Sequence, residues 1–258
     1  MPCSDFLLAR LSMDHVLAGY GLRLTYLRNP ETIDALEQDR LLDDLYDETP
    51  DGDPLPWLTR HRLADCDHLV LVTDSSTGRY LAFLAANDGA TAREEFLLLE
   101  TAFVATIARG QNLMRRMIAL ALLRIGGQRP VPSVIVACTR NPLCYQIMRN
   151  TARQFSRALV FPDPDSVAIS FQTATLAQRI AREIDPHHRF QAATGTIRGA
   201  MMLTTQPGYR RPLSNDPQIE ELFGQRMQPA DRMLVVLDLR GEDEATILER
   251  ARRLYRSR

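Results

Sequence analysis

Lysine is absent. All 31 basic residues of this 258-residue sequence are arginine, set against 32 acidic residues for a formal net charge of -1. Lysine is among the commonest residues in ordinary proteins, and a GC-rich coding sequence, which disfavours its AT-rich codons, explains the gap without selection. The chemical consequence stands either way. Any phosphate site here must be built from backbone amides and arginine. Near-zero charge excludes a broadly basic nucleic-acid binder. Cysteine is scarce: Cys3, Cys66, Cys138 and Cys144 form no CxxC pair, which argues against a disulfide framework or zinc knuckle. Cys66 and His68 lie close together but lack the second pair of ligands a zinc site needs. No stretch approaches the roughly 20 apolar residues of a membrane span. The first twenty residues, interrupted by Asp5, Arg10 and Asp14, lack the basic start and unbroken apolar core of a signal peptide. The G-x-G-x-x-G of a dinucleotide site is missing. A cytoplasmic protein with no nucleic-acid or membrane partner is expected.

What is present reads as globular: 45% hydrophobic and 24% charged residues, in a chain long enough for a full core. Ser4 followed by Phe6, Leu7, Leu11 and Val16 predicts a first helix within residues 1–20. Residues 21–28 alternate as an edge strand, and Ile33, Leu36, Leu41 and Leu45 mark a second helix after Pro30. An acidic loop follows, carrying Asp43, Asp44, Asp47, Glu48, Asp51 and Asp53 and then Trp57, the only tryptophan. It reads as a solvated charge run, with attraction of a cationic amine as the sharper alternative. Residues 68–73 and 79–86, joined by Asp74-Ser75-Ser76-Thr77-Gly78, predict an antiparallel hairpin, with Asn87-Asp88-Gly89 as a loop. Residues 95–107 form a long strand apolar on both faces, the pattern of a sheet interior. An apolar helix from Gln111 stops at Gly126-Gly127. Residues 133–138 form another buried strand, and Asn141-Pro142 opens the next helix. Further helix signals cover 173–184 and the C-terminus, with strand signals at 190–202 and 233–239. The class is α/β layered, expected as one domain over 1–258: the N-terminal helix (1–20), a recognisable core (21–160) and a C-terminal elaboration (161–258).

The junction of long strand and apolar helix, residues 99–117, carries the chemistry. A helix N-terminus offers unbonded N–H groups and partial positive charge to an anion. Gly110 permits a tight turn, and Arg109, Arg115 and Arg116 add guanidinium groups. A diphosphate suits such a place; a plain strand-to-helix turn with solvated arginines is the structural alternative.

In its hairpin context this junction resembles the GNAT acyltransferase superfamily. The resemblance is carried by residues 100–110 (Glu100, the Phe103-Val104 pair, Arg109-Gly110), by Arg109 to Met114, similar to the pyrophosphate loop R-G-x-G-x-G, and by residues 136–145. It covers roughly residues 20–160. It implies a GNAT-like mixed sheet with helices on both faces and acetyl-CoA or another acyl-CoA as co-substrate. The expected partner is a small-molecule or peptide amine acceptor, with homodimer formation left open. Val104 and Thr106 would pair with the pantetheine arm, and the amides of Arg109, Gly110, Gln111, Asn112, Leu113 and Met114 would cradle the diphosphate. Asn141 would contact the cofactor, and Glu100 would deprotonate the amine. Asn112 and Met114 stand where the family has small residues, and Thr106 stands for a frequent proline. Met148 occupies the position of a frequent tyrosine acid; Tyr145, one turn earlier, is its substitute or a packing residue. Glu100 is either functional or salt-bridged. No metal or covalent intermediate is implied. The competing reading is a non-catalytic relative serving as a CoA sensor or interaction module.

Overall fold

A computed structural model describes residues 15–17, 21–31, 33, 35–47, 63–163, 171–200, 213–225 and 227–256. The expected first helix lies largely outside them. Where the chain is described, Val16 belongs to a strand, β1 (His15–Leu17), paired antiparallel with β2 (Leu22–Arg28). This corrects two expectations at once, because β2 is then flanked on both sides rather than an edge. The physical reason is that an edge strand's open N–H and C=O groups are satisfied by adding one more strand.

The chain divides into two compact units, one of Met1–Asn87, Glu100–Val131 and Ala251–Arg258, the other of Asp88–Leu99 and Pro132–Arg250. In the first unit β2 pairs with β3 (His68–Asp74), and β3 with β4 (Tyr80–Ala90), all antiparallel. Register explains which side chains share a face. Thr25, Leu71 and Phe83 stand opposite one another, as do Leu27, Leu69 and Ala85. Leu69, Leu71, Phe83 and Ala85 pack with Leu41 and Leu45 of helix α1 (Ala35–Asp47) in one cluster. Leu36, expected on that buried stripe, is 78% exposed. It sits in the helix's first turn, and the apolar face is carried by the i, i+4 pair Leu41/Leu45 with Leu42 packed beside it. The intervening positions, Leu24, Val70, Val72, Ala82 and Leu84, are also buried, and helix α2 (Leu113–Gly126) packs against β2 and β3.

The β3–β4 turn is fastened by Asp74. Its Oδ1 accepts from Ser76 N at 2.8 Å and Thr77 N at 2.9 Å, and also from Ser76 Oγ. These bonds, the Ser76 hydroxyl first, hold the carboxyl down to about 2. A lowered folded-state value stabilises above the unfolded value near 3.8 and is lost as pH falls through about 2. Asp74→Ala is accordingly expected to cost about 1 kcal/mol at neutral pH. Urea melts of the two proteins should converge as pH drops from 5 towards 2; a constant gap would refute the assignment.

In the second unit the start of β5 (Glu95–Val104) pairs parallel with β6 (Val134–Thr139), over Leu97↔Ile135, Leu98↔Val136 and Leu99↔Ala137. β6 pairs antiparallel with β10 (Arg232–Asp238), which also pairs with β7 (Leu159–Phe161) and β9 (Thr196–Ile197). β9 pairs with β8 (Phe190–Gln191), two residues in each strand, so among residues 190–200 there is less strand than expected; residues 201 and 202 lie outside the described residues. Phe96, Val134, Val136, Leu234 and Val236 meet helix α4 (Phe171–Ile184) through Leu176, Ala177 and Ile180. Helix α3 (Pro142–Ala152) packs on β10 and β6, and α5 (Pro217–Gln225) packs on α3. Helix α6 (Glu244–Arg256), whose residues from Ala251 onward belong to the first unit, ends the described chain; Asp243 caps it, accepting from Thr246 N at 2.8 Å. The α/β layering and mixed sheet expected from the sequence are observed.

The Asn87-Asp88-Gly89 stretch is not a loop: β4 continues through it to Ala90, and the turn comes later, where Thr91 N donates to Glu94 O at 2.8 Å. Gly89 is required there. A Cβ on it would lie 2.2 Å from the ring of Phe96, itself 1% exposed and packed in the core. Gly89→Ala is expected to cost about 2 kcal/mol through overpacking. A denaturation midpoint unchanged from the parent protein would refute this.

Candidate functional site

The first unit holds the strand-to-helix junction. β5 runs only to Val104, short of the expected residue 107, because Thr106–Ala108 curl into a 3-10 turn. Ala105 is fully buried, and its N–H donates to Leu81 O at 2.8 Å, fastening the strand end to β4. The turn itself closes with Ala108 N on Ala105 O at 3.0 Å and Arg109 N on Thr106 O at 3.2 Å. Thr106 is exposed, and Ile107 beside it is 62% exposed.

Beyond Arg109 the backbone twice enters the left-handed region, at Gly110 (φ +84) and Asn112 (φ +58). At Asn112 a left-handed residue leads directly into the right-handed first turn of α2, a pairing that turns successive N–H groups to the same side as a concave nest for anions. The hydrogen bonding agrees. Arg116 N closes the first helical bond, onto Asn112 O at 3.1 Å. Among the described residues, the amides of Gly110, Gln111, Asn112, Leu113, Met114 and Arg115 meet no acceptor. Asparagine is the non-glycine residue most tolerant of this conformation, so Asn112 fills the place of the resemblance's glycine in backbone terms. Its side chain does not cap α2; Oδ1 accepts instead from the Arg115 guanidinium, keeping that charge at the helix entry. Gln111 Oε1 is buried and accepts from no described residue. Met114 is half-buried, and Leu113 is buried in the core.

The arginines divide. Arg109 is exposed, its Nε donating to Val104 O at 3.4 Å. Arg115 stands at the nest. Arg116, expected beside them, is 1% exposed. With Arg124 it faces the Tyr255 hydroxyl, whose proton affinity burial raises and the two guanidinium groups partly offset. Four residues into the helix, Arg116 is carried round into the interior by the 3.6-residue period.

Glu100, Ala102 and Val104 are half-buried. Glu100 Oε1 accepts from Asn87 Nδ2 at 3.4 Å, and among the described residues no cation lies within ion-pair distance of it. The salt-bridged alternative for Glu100 therefore finds no partner there. Cys66 and His68 are each committed elsewhere. The thiol, pushed up to about 12 by burial, donates to Leu63 O at 3.1 Å, and His68 Nδ1 pairs with Tyr26 Oη at 2.8 Å. Of the acidic run, Asp44 and Asp47 pair with Arg79 at 3.3 and 3.0 Å. Glu48, Asp51, Asp53 and Trp57 lie outside the described residues.

The remaining expected residues belong to the second unit. Asn141 is the N-cap of α3, its Oδ1 accepting from Leu143 N at 2.9 Å, with Pro142 at the first helical position as the sequence indicates. Tyr145 is fully buried. Its hydroxyl donates to Pro162 O at 2.6 Å and its ring meets Phe223 edge-on. A proton spent on a buried carbonyl is not presented to a substrate, so the geometry of Tyr145 is that of packing. Met148 is buried as well. Sequence reasoning missed Asn87, which appears there only as a turn residue; no local signal marks it, because its contacts depend on the register of β3, β4 and β5.

No protein-family model matches the chain, and no curated protein matches it. Among solved structures it has a partial likeness to a chain of the "Crystal structure of the NatC complex bound to Gag peptide and CoA". Identity is 10% and the TM-score 0.36, over 50% of this chain and 83% of that one. No helix among the described residues is long and apolar enough to cross a membrane.

Proposed function

We propose that the chain is an acyl-CoA-dependent N-acyltransferase. The observation that carries this reading is the run of amides from Gly110 to Arg115, without acceptors among the described residues and bent inward by left-handed residues at 110 and 112. Such a nest suits a diphosphate, with Arg115 and Arg109 supplying the charge that lysine supplies elsewhere. The resemblance of residues 100–114 to the GNAT pattern adds Val104 and Thr106 as backbone partners of the pantetheine arm and Glu100 as base. In the reaction the amine nitrogen attacks the thioester carbonyl carbon. A C–N bond forms, the C–S bond breaks, CoA leaves as thiolate, and the proton shed by the amine passes to the Glu100 carboxylate. A thiol of ordinary acidity, near 8.5, leaves without a strong acid, so a packed Tyr145 and an apolar Met148 do not forbid turnover.

Those same two residues favour a second reading, CoA binding without catalysis, since neither presents an acid. Calorimetry with acetyl-CoA and longer acyl-CoAs, followed by thiol release with spermidine, phenylethylamine and a short peptide bearing a free N-terminus, separates the readings. Binding with amine-dependent release supports the enzyme, binding alone supports the sensor, and no binding refutes both.

A further inference from the structure

Asparagine is poorly suited to a β-strand, yet Asn87 sits in β4 with its carboxamide committed at both ends. Its Oδ1 accepts from Asp67 N at 2.9 Å, and its Nδ2 donates to Glu100 Oε1 at 3.4 Å. The first bond fixes the second. A backbone N–H can only donate, so the oxygen of the carboxamide must face Asp67 and the NH2 group must face the carboxylate. Asp67 is held in turn, its carbonyl accepting from Asn29 N at 2.8 Å. The other carboxylate oxygen, Glu100 Oε2, has no partner among the described residues.

We propose that Asn87 is a positioning residue for Glu100, holding one carboxylate oxygen so that the other is aimed at the proton of the acceptor amine. The inference rests on the acyl-transfer reading and names for it a residue outside the motifs that suggested that reading. A half-buried carboxylate with a free rotor spreads over many orientations. A donor anchored on the neighbouring strand selects one of them.

Asn87→Asp separates this role from a purely structural one. An aspartate oxygen still accepts from Asp67 N, so the anchor between strands is kept. What faces Glu100 changes from a donor to a like charge. With acetyl-CoA and whichever of the three amines gives turnover, kcat is expected to fall about tenfold or more, with the KM for acetyl-CoA within about twofold of the parent. In a Glu100→Gln background the same substitution is expected to change kcat by less than about twofold, because two residues acting as one unit are not additive. Should Asn87→Asp not fold, Asn87→Ser, which cannot reach the carboxylate, is held to the same expectations. An unchanged kcat, or an equal drop in the Glu100→Gln background, overturns the positioning role while leaving acyl transfer intact. A parent protein that releases no thiol with any of the amines overturns acyl transfer itself, and this inference with it.

Discussion

Gly110→Val is expected to weaken acyl-CoA binding about 100-fold or more while leaving the protein folded. The effect is conformational rather than steric, because no atom lies within 4 Å of where a Cβ on Gly110 would stand. At φ +84 a β-branched residue is a true outlier. The chain relieves the strain by rotating back to negative φ, which swings the neighbouring N–H groups out of the nest. Two charge-assisted hydrogen bonds lost at about 1.5 kcal/mol each give the stated factor. The matched control is Asn112→Gly, which keeps the left-handed backbone and should bind within about threefold of the parent, its loss confined to the tether on Arg115. Isothermal titration with acetyl-CoA reads both. Equal affinities for the parent and Gly110→Val would place the ligand elsewhere or nowhere.

Glu100→Gln is expected to reduce turnover by about 100-fold or more with acyl-CoA affinity unchanged. A glutamine is nearly isosteric and can still meet Asn87, but it takes no proton. Because no ion pair to Glu100 exists among the described residues, neutralising it strands no arginine among them, and thermal stability should hold to within a degree or two. That combination, lost turnover with intact binding and folding, is what distinguishes a base from a structural carboxylate. Full activity in Glu100→Gln would remove this residue from the chemistry.

Much of this was legible before any coordinates. Runs such as residues 134–138 are strands because β-branched side chains with no polar interruption suit a sheet covered on both faces. Asn141-Pro142 announces a helix start because cap and first turn are local chemistry. The strand-to-helix junction was legible for the same reason: glycine at 110 and asparagine at 112 are the residue types that accept left-handed angles. What escaped depended on partners distant in sequence. β1 exists because β2 offers an edge, and nothing in His15–Leu17 alone says so. Helix α5 escaped for a different reason: its marks are local, the Asp216 cap accepting from Gln218 N at 3.0 Å and Ile219, Leu222 and Phe223 buried on one face, but the segment is too short to show a period. Asn87-Asp88-Gly89 reads as a turn by composition, yet pairing in the sheet extends through it.

Helix α2 is enclosed from Arg116 to Leu122, every residue of that stretch being buried. Its interior amides can exchange with deuterated water only when the surrounding unit opens, whereas those of Gly110 to Arg115, lacking acceptors, exchange from the folded state. Two clocks therefore run within a few residues of chain, fast at the mouth and slow directly behind it. An anion bound at the mouth would slow the fast one by covering its amides and the slow one by opposing the opening that releases the anion, so occupancy becomes visible in the protein's own isotope uptake. The Gly110 to Arg115 amides are continuous with that buried stretch, so a phosphate bound to them, as proposed, would leave little ordering entropy to be lost.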